Sequence, residues 1–232
     1  MDQFLVVCSR LAEGFVSSVF LFVLTLIIAL PLGLLISFCT MSKFAPLSML
    51  SKLVVWVLRG TPLMLQIFAI FYLPGLLMPG FKWPAMSTGW AWFDTTFSSR
   101  FIAALVAFGI NYAAYFSEIY RGGIQSISQG QYEAGQVLGM TKLQIFFHVI
   151  LMQVIRKIMA PMSNEVITLV KDTALARALS ITEIILVAYE KVNKYAVLSP
   201  LFYAGAFYLA FSGILTLLFH LLEKKVCYYE VT

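Results

Sequence analysis

Residues 14–42 read GFVSSVFLFVLTLIIALPLGLLISFCTMS and contain no charged side chain. About 20 consecutive apolar residues cross the hydrocarbon of a bilayer as an α-helix, and a charge at that depth is costly. The stretch is therefore long enough for a transmembrane helix. The residues before it include Asp2 and Glu13 with only Arg10 as a base, so we expect a retained span and not a cleaved signal peptide.

The composition of the whole chain agrees with a membrane protein. Of its 232 residues, 61% are hydrophobic and 12% are charged, whereas about 25% are charged in a soluble domain. One globule of this size has too little polar surface to cover so much apolar area, so lipid must face the excess and a soluble enzyme is excluded. The net charge of +5 is expected from loops that orient a membrane protein and touch anionic headgroups, and no nucleic-acid partner is indicated.

Four further spans are predicted from runs with few or no charges. They are residues 60–81, 101–117, 143–170, which contains three charged residues, and 195–222. We therefore predict an all-α membrane protein with five transmembrane helices. Residues 1–13 form an external segment, residues 14–222 the transmembrane domain and residues 223–232 a cytoplasmic tail, because the basic residues divide nine to seven in favour of an external N-terminus.

The most polar part of the chain lies between the third and fourth spans. Residues 121–144, RGGIQSISQGQYEAGQVLGMTKLQ, predict a cytoplasmic helix over 129–138. Its boundaries come from two capping boxes and a terminating glycine, namely Ser128 with Gln131, Thr141 with Gln144, and Gly139. So short a helix is not stable alone and lacks the basic face of a membrane-surface helix, so we expect it to dock in a protein groove.

Within this segment, Glu133, Ala134, Gly135 and Gly139 resemble the EAA motif of bacterial ABC-importer permeases, E-A-A-x3-G-x9-I-x-L-P, which continues here to Val149 and Leu151. Gly135 stands where the motif has alanine, and Met152 where it has proline. Four blocks in the same order resemble the polar amino acid branch of that family. They are RGTPLMLQ (59–66), AAYFSEIYRGGIQSI (113–127), GQYEAGQVLGM (130–140) and SNEVITLVKDTAL (163–175).

The resemblance implies the type I ABC importer permease fold in the bacterial cytoplasmic membrane. It implies a second permease subunit, identical or similar, two ATP-binding subunits that hold ATP and Mg, and an extracytoplasmic substrate-binding protein. Residues 121–144 then form the coupling segment, with Gln131, Glu133, Ala134 and Gly139 as the residues that couple to the ATPase. The chain has no GxxxxGK[ST] phosphate loop, so we expect no ATP hydrolysis and no cofactor in this subunit.

Glu165 is the main candidate for substrate binding. An ionisable group at membrane depth indicates a functional site, and a carboxylate in a water-filled cavity suits a ligand with a cationic side chain. The alternative is an interhelical salt bridge. We include the neighbouring Asn164 as a substrate-binding residue and Asp172, beyond the fourth span, as a possible gate.

A second candidate region lies near the inner end of the second span. Pro62 lacks an amide proton and interrupts a helix, and non-helical backbone at membrane depth survives only where it lines protein or a cavity. Thr61 and Gln66 are therefore predicted to bind substrate. The alternative is an ordinary kink in which Gln66 bonds to a neighbouring helix.

These residues predict a permease for a polar, cationic amino acid: arginine, lysine, ornithine or histidine. The alternatives are a neutral polar amino acid such as glutamine or cystine, or an autonomous secondary carrier that uses Glu165. A membrane enzyme is disfavoured, because the sequence shows no nucleophile–base pair and no metal-ligand cluster.

Overall fold

The computed structural model describes residues 2–85, 89, 94 and 96–226. Within those residues all regular structure is helical, as predicted. In chain order the helices are α1 (Asp2–Thr40), α2 (Ala45–Gly60), α3 (Leu63–Leu77), α4 (Ser99–Gln125), α5 (Gln129–Val137), α6 (Lys142–Leu179), α7 (Ile184–Tyr195) and α8 (Ser199–Val226). Helix α6 contains a π-helical segment (Ile145–Ile150) near its start and closes with a 3-10 segment (Thr173–Leu179).

Four helices, α1, α4, α6 and α8, are long and apolar enough to cross a membrane. Helices α2 and α3 meet at a bend of 110° and give a fifth, broken span if they are counted together. The break lies at Thr61 and Pro62, where the sequence predicted it, because proline lacks the amide that would continue the helical hydrogen bonds.

The ends of the chain differ from the predicted boundaries. Helix α1 begins at Asp2, so the residues assigned to an external segment, 1–13, are largely helical. Val7 and Leu11 are buried in a cluster with Ile184 of α7 and Ala204 of α8, and this packing extends the helix beyond the charge-free run. Of the predicted tail, residues 227–232 lie outside the described part of the chain.

Helix α4 is the centre of the core. Its aromatic residues Phe101, Phe108, Tyr112 and Phe116 are almost fully buried. Helix α1 comes close to it at Gly33, where a Cβ atom would lie 2.9 Å from the carbonyl oxygen of Ala113 and 2.9 Å from Cβ of Phe116. Any larger side chain at this position would push the two helices apart.

The short helix predicted between the third and fourth spans has nearly the predicted length, since α5 runs from Gln129 to Val137. Gly139 follows it with a φ of +71°, the left-handed conformation that ends helices. The second capping box is confirmed: the Thr141 amide donates to Gln144 Oε1 over 2.8 Å, and the Gln144 amide donates to Thr141 Oγ1 over 3.3 Å.

The first capping box is wrong. The Ser128 side chain makes no capping hydrogen bond, and the Gln131 amide donates instead to the Ser128 carbonyl oxygen over 3.2 Å. The Gln131 side chain turns towards α6, where its Oε1 accepts a hydrogen bond of 3.1 Å from Gln153 Nε2. Tertiary packing against α6 therefore replaces the local cap.

One face of α5 is buried against α6. Gly135 is buried over Ile145, which forms a buried cluster with Ile127, Ile150 and Val154. The C-terminal end of α5 carries exposed apolar residues, since Val137 is 87% exposed and Leu138, which follows the helix, is 78% exposed. Helix α5 therefore packs on its own chain through one face and leaves an apolar surface free.

Candidate functional site

A cavity of about 530 Å³ lies where the break between α2 and α3 meets α4 and α6. We call it the central cavity. Its lining comes from Arg59, Gly60, Thr61, Pro62 and Leu63 at the break, from Asn111, Tyr112 and Tyr115 on α4, and from Glu165, Thr168, Asp172 and Leu175 on α6.

Two carboxylates form one wall of the central cavity. Glu165 and Asp172 are seven residues apart on α6, so they lie two turns apart on one helix face, a rise of about 10 Å. Asp172 Oδ2 accepts a hydrogen bond of 2.6 Å from the Tyr112 hydroxyl. Glu165 has no hydrogen bond or ion pair with any residue in the described part of the chain, so the salt bridge that was its alternative does not form there. An unpaired carboxylate is available to a cation in the cavity.

Other residues of the lining offer groups that attract anions. The Arg59 guanidinium lies 5.2 Å from the ring centroid of Tyr115, and both residues line the cavity. Helix α3 begins at Leu63, beside the cavity, and the first amides of a helix have no partner within the helix. The central cavity therefore has an acidic wall and a basic wall.

Three of the residues predicted from sequence line the central cavity: Thr61, Glu165 and Asp172. Asn164 is exposed and is not part of the lining; its carbonyl oxygen accepts a hydrogen bond from Thr168. Gln66 is also outside the lining. These two assignments receive no support from the geometry of the cavity.

The Gln66 side chain forms its hydrogen bonds around the break between α2 and α3. Its Nε2 donates to the Leu58 carbonyl over 2.7 Å and to Thr61 Oγ1 over 2.8 Å, and its Oε1 accepts from Asn111 Nδ2 over 3.0 Å. These bonds satisfy backbone and side-chain groups that the bend at Pro62 leaves exposed. These contacts match the alternative interpretation, in which Gln66 stabilises a kink by bonding to a neighbouring helix, here through Asn111 of α4.

The sequence reasoning missed Arg59, Asn111 and Tyr112. Arg59 precedes the Gly-Thr-Pro break and could have been inferred from that position, because groups beside a helix break are held near the cavity it lines. Asn111 is a polar residue inside an apolar run, which was a usable signal. No local signal in the sequence indicated Tyr112, because its partner Asp172 is 60 residues away.

A second, smaller cavity of about 310 Å³ lies beside the first. We call it the inner cavity. Lys52, Val55, Trp56, Arg59, Glu118 and Arg121 line it. Glu118 accepts hydrogen bonds of 3.0 and 2.6 Å from Arg121 and lies 3.7 Å from the Arg59 guanidinium. Glu118 is thus an ion-pair partner of both arginines.

One buried carboxylate lies outside both cavities and outside the apolar spans. Glu183 is 1% exposed and caps α7, accepting hydrogen bonds of 2.7 Å from the Ile185 amide and 2.6 Å from the Leu186 amide. Burial raises the pKa of Glu183 to about 7, although these two amides and the charge of Arg177 oppose the shift. Its role is to fix the start of α7.

Comparison with known proteins agrees with this architecture. The family described as binding-protein-dependent transport system inner membrane component matches residues 29–227. The chain belongs to this family. It is thus an inner-membrane component of a transport system, and the membrane location predicted from composition is confirmed.

Relatives of known function place it among permeases of ABC importers. The chain is 35% identical to the L-cystine transport system permease protein TcyB of Bacillus subtilis (strain 168), over 93% of this chain and 86% of that one. It is 34% identical to the arginine transport system permease protein ArtQ of the same organism, over 92% and 91%. A crystal structure of an amino acid ABC transporter with histidines superposes with a TM-score of 0.78 at 28% identity, covering 94% of each chain. In importers of this family the ATPase is supplied by separate subunits.

Proposed function

We propose that this chain is the permease subunit of an ATP-driven importer of a cationic amino acid and that the central cavity is where the substrate crosses. The observation that carries the proposal is the acidic wall formed by Glu165 and Asp172. Arginine, lysine, ornithine and histidine are the substrates that fit it.

Two carboxylates call for two positive charges. A cationic amino acid has an ammonium group at one end and a charged side chain at the other, so in an extended pose it reaches both Glu165 and Asp172. A neutral amino acid offers one cation and leaves the second carboxylate unpaired away from bulk water, which is costly. Charge-assisted hydrogen bonds to both carboxylates replace the hydration that the substrate loses on entry.

The substrate carboxylate has its own partners in the cavity lining. Arg59 supplies a guanidinium, and α3 begins beside the cavity at Leu63, where a helix N-terminus attracts negative charge. Thr61 also lines the cavity at the break, but its hydroxyl donates to the Val57 carbonyl over 2.9 Å, so it contributes shape and no hydrogen bond to the carboxylate. The cavity thus distinguishes the two ends of an amino acid by charge.

The residues predicted to couple to the ATPase are exposed: Gln131, Glu133 and Ala134 on α5, and Gly139 just beyond it. Gln131 is bonded to Gln153 of α6, so Glu133, Ala134 and the exposed Val137 form the free face of α5. We infer that this face docks in a groove of an ATP-binding subunit. Two such subunits with ATP and Mg, a second permease subunit and an extracytoplasmic substrate-binding protein complete the importer.

The test is uptake by the complete importer reconstituted in proteoliposomes, with labelled arginine, lysine, glutamine and cystine as substrates. We expect ATP-dependent uptake of arginine and lysine, and Glu165→Gln is expected to reduce it about tenfold or more, since loss of a charge-assisted hydrogen bond costs about 1.5–3 kcal/mol. Glu190→Gln is the matched control, because Glu190 is exposed on α7 and is not part of the cavity lining. Equal losses in both variants, or uptake of arginine without the ATPase subunits, would reject the proposal.

A second candidate substrate is L-cystine. The 35% identity to TcyB favours it, and cystine carries an ammonium group at each end, so the acidic wall accommodates it. It also carries two carboxylates, for which Arg59 is the one cationic side chain in the central cavity lining. Accumulation of labelled cystine that excess arginine does not inhibit would favour this second candidate.

A further inference from the structure

Arg59 lies between the two cavities. Of the described residues, it alone lines both the central cavity and the inner cavity. On α4, Glu118 and Arg121 follow Tyr115 at intervals of three residues, so the inner cavity lies about one to two turns further along that helix than the central cavity. The Arg59 side chain is 43% exposed, and its charged group contacts Glu118 and the Tyr115 ring.

The contacts of Arg59 are looser than those around it. Its Nη1 lies 3.7 Å from Glu118 Oε2, whereas Arg121 donates to both oxygens of the same carboxylate over 3.0 and 2.6 Å. Arg121 therefore keeps the Glu118 charge paired when Arg59 leaves. The other contact of Arg59, the face of the Tyr115 ring, allows the guanidinium to turn towards the central cavity without losing the ring.

We propose that Arg59 is a specificity-determining switch: its guanidinium is shared between Glu118 and the carboxylate of the bound amino acid. Binding of substrate moves Arg59 from the inner cavity to the central cavity, and release towards the cytoplasm returns it to Glu118. This inference rests on the proposed function, because the carboxylate that it invokes belongs to the imported amino acid. Glu118 then acts as a competitor of the substrate, and Arg121 as the group that weakens this competition.

Competition gives opposite predictions for two neighbouring residues. Glu118→Gln removes the competitor, so Arg59 binds the substrate carboxylate more strongly. Among the described residues, Arg121→Gln leaves Arg59 as the one ion-pair partner of Glu118, with Lys52 of the same cavity farther away, so Glu118 holds Arg59 more strongly and substrate binding weakens. A partly exposed ion pair contributes about 0.2–1 kcal/mol, so each change in Kd is about 1.4-fold to fivefold. A purely structural role for the cluster would weaken binding in both variants.

The experiment measures the Kd of labelled arginine for the complete permease–ATPase complex in nanodiscs, with the substrate-binding protein and nucleotide left out. Agmatine, which is arginine without its carboxylate, is the second probe, and its Kd is expected to be the same in wild type, Glu118→Gln and Arg121→Gln. If Glu118→Gln does not assemble, Glu118→Asp takes its place, because the shorter side chain withdraws the carboxylate from Arg59.

Shifts in Kd of opposite sign for arginine, with agmatine unchanged, would support the switch. Shifts of the same sign, unchanged arginine binding, or equal shifts for arginine and agmatine would overturn it. If the wild-type complex binds arginine and the variants give one of these contrary results, the switch alone is refuted. A wild-type complex that binds neither probe refutes the proposed function and the switch together.

Discussion

Replacing Gly135 by alanine tests whether α5 and α6 move as one body. An alanine Cβ would lie 2.6 Å from Cγ1 and 2.9 Å from Cδ1 of Ile145, well inside the normal carbon–carbon contact distance of about 3.5–4.0 Å. Ile145 is 2% exposed and packs in a buried cluster, so its side chain has no free space to turn into. We expect α5 to lift from α6.

The size of the effect follows from two opposing contributions. Overpacking a buried site costs about 1–3 kcal/mol, and alanine regains up to about 1 kcal/mol of helix propensity over glycine. With the full propensity gain, the net loss of stability is at most about 2 kcal/mol. The clash also explains why glycine occupies the position that is alanine in the EAA motif: Ile145 fills the space that the methyl group would need.

The assay is the thermal midpoint of the purified complex together with the ratio of substrate imported to ATP hydrolysed. Gly135→Ala is expected to lower both. Gly130→Ala on the same helix is the matched control and is expected to leave the thermal midpoint unchanged or raise it slightly, because an added Cβ there meets nothing within 4 Å and alanine gains helix propensity. In the double variant Gly135→Ala with Ile145→Ala, we expect the losses to be less than additive by about 1 kcal/mol. Additive losses, or a Gly135→Ala variant that behaves like Gly130→Ala, would refute the reasoning.

Two further variants test the coupling surface and the capping carboxylate. Glu133→Gln is expected to leave arginine binding intact but to lower both uptake and substrate-stimulated ATP hydrolysis, since Glu133 lies on the exposed face of α5; uptake equal to wild type in an assembled complex would contradict this. For Glu183, burial places the folded pKa at about 7, above its ordinary value of 4.5, so its contribution to stability is complete below about pH 4.5 and is lost as the pH rises through 7. Glu183→Gln is expected to flatten the fall in thermal midpoint between pH 5 and 8, and an unchanged slope would show that another group is responsible.

The spans and the break could be predicted because they follow from local chemistry. The charge-free residues 14–42 and the Gly-Thr-Pro sequence before Leu63 each limit the backbone without reference to the rest of the fold. The true start of α1 at Asp2 could not be predicted in this way. It depends on the packing of Val7 and Leu11 against α7 and α8, which a charge count does not register.

The candidate site could be predicted only where one helix contains the signal. Glu165 is detectable as a charge in an apolar run, and Asp172 lies on the same helix face. The Tyr112 hydroxyl on Asp172 and the bond from Asn111 to Gln66 join segments 60 and 45 residues apart. From the sequence, the Gln66 side chain could bind substrate. The fold shows that its amide is already bonded to Leu58, Thr61 and Asn111.

The π-helical segment Ile145–Ile150 determines how all later residues of α6 are rotated about the helix axis. A wide turn accommodates one more residue than an α-helical turn, and one residue corresponds to about 100° of rotation. The direction in which Glu165 faces is therefore determined some twenty residues earlier, where α5 packs against α6 around Ile145. If that turn became α-helical and kept all of its residues, the acidic wall would rotate by about 100° away from the central cavity, and deleting one residue from the turn would restore its direction.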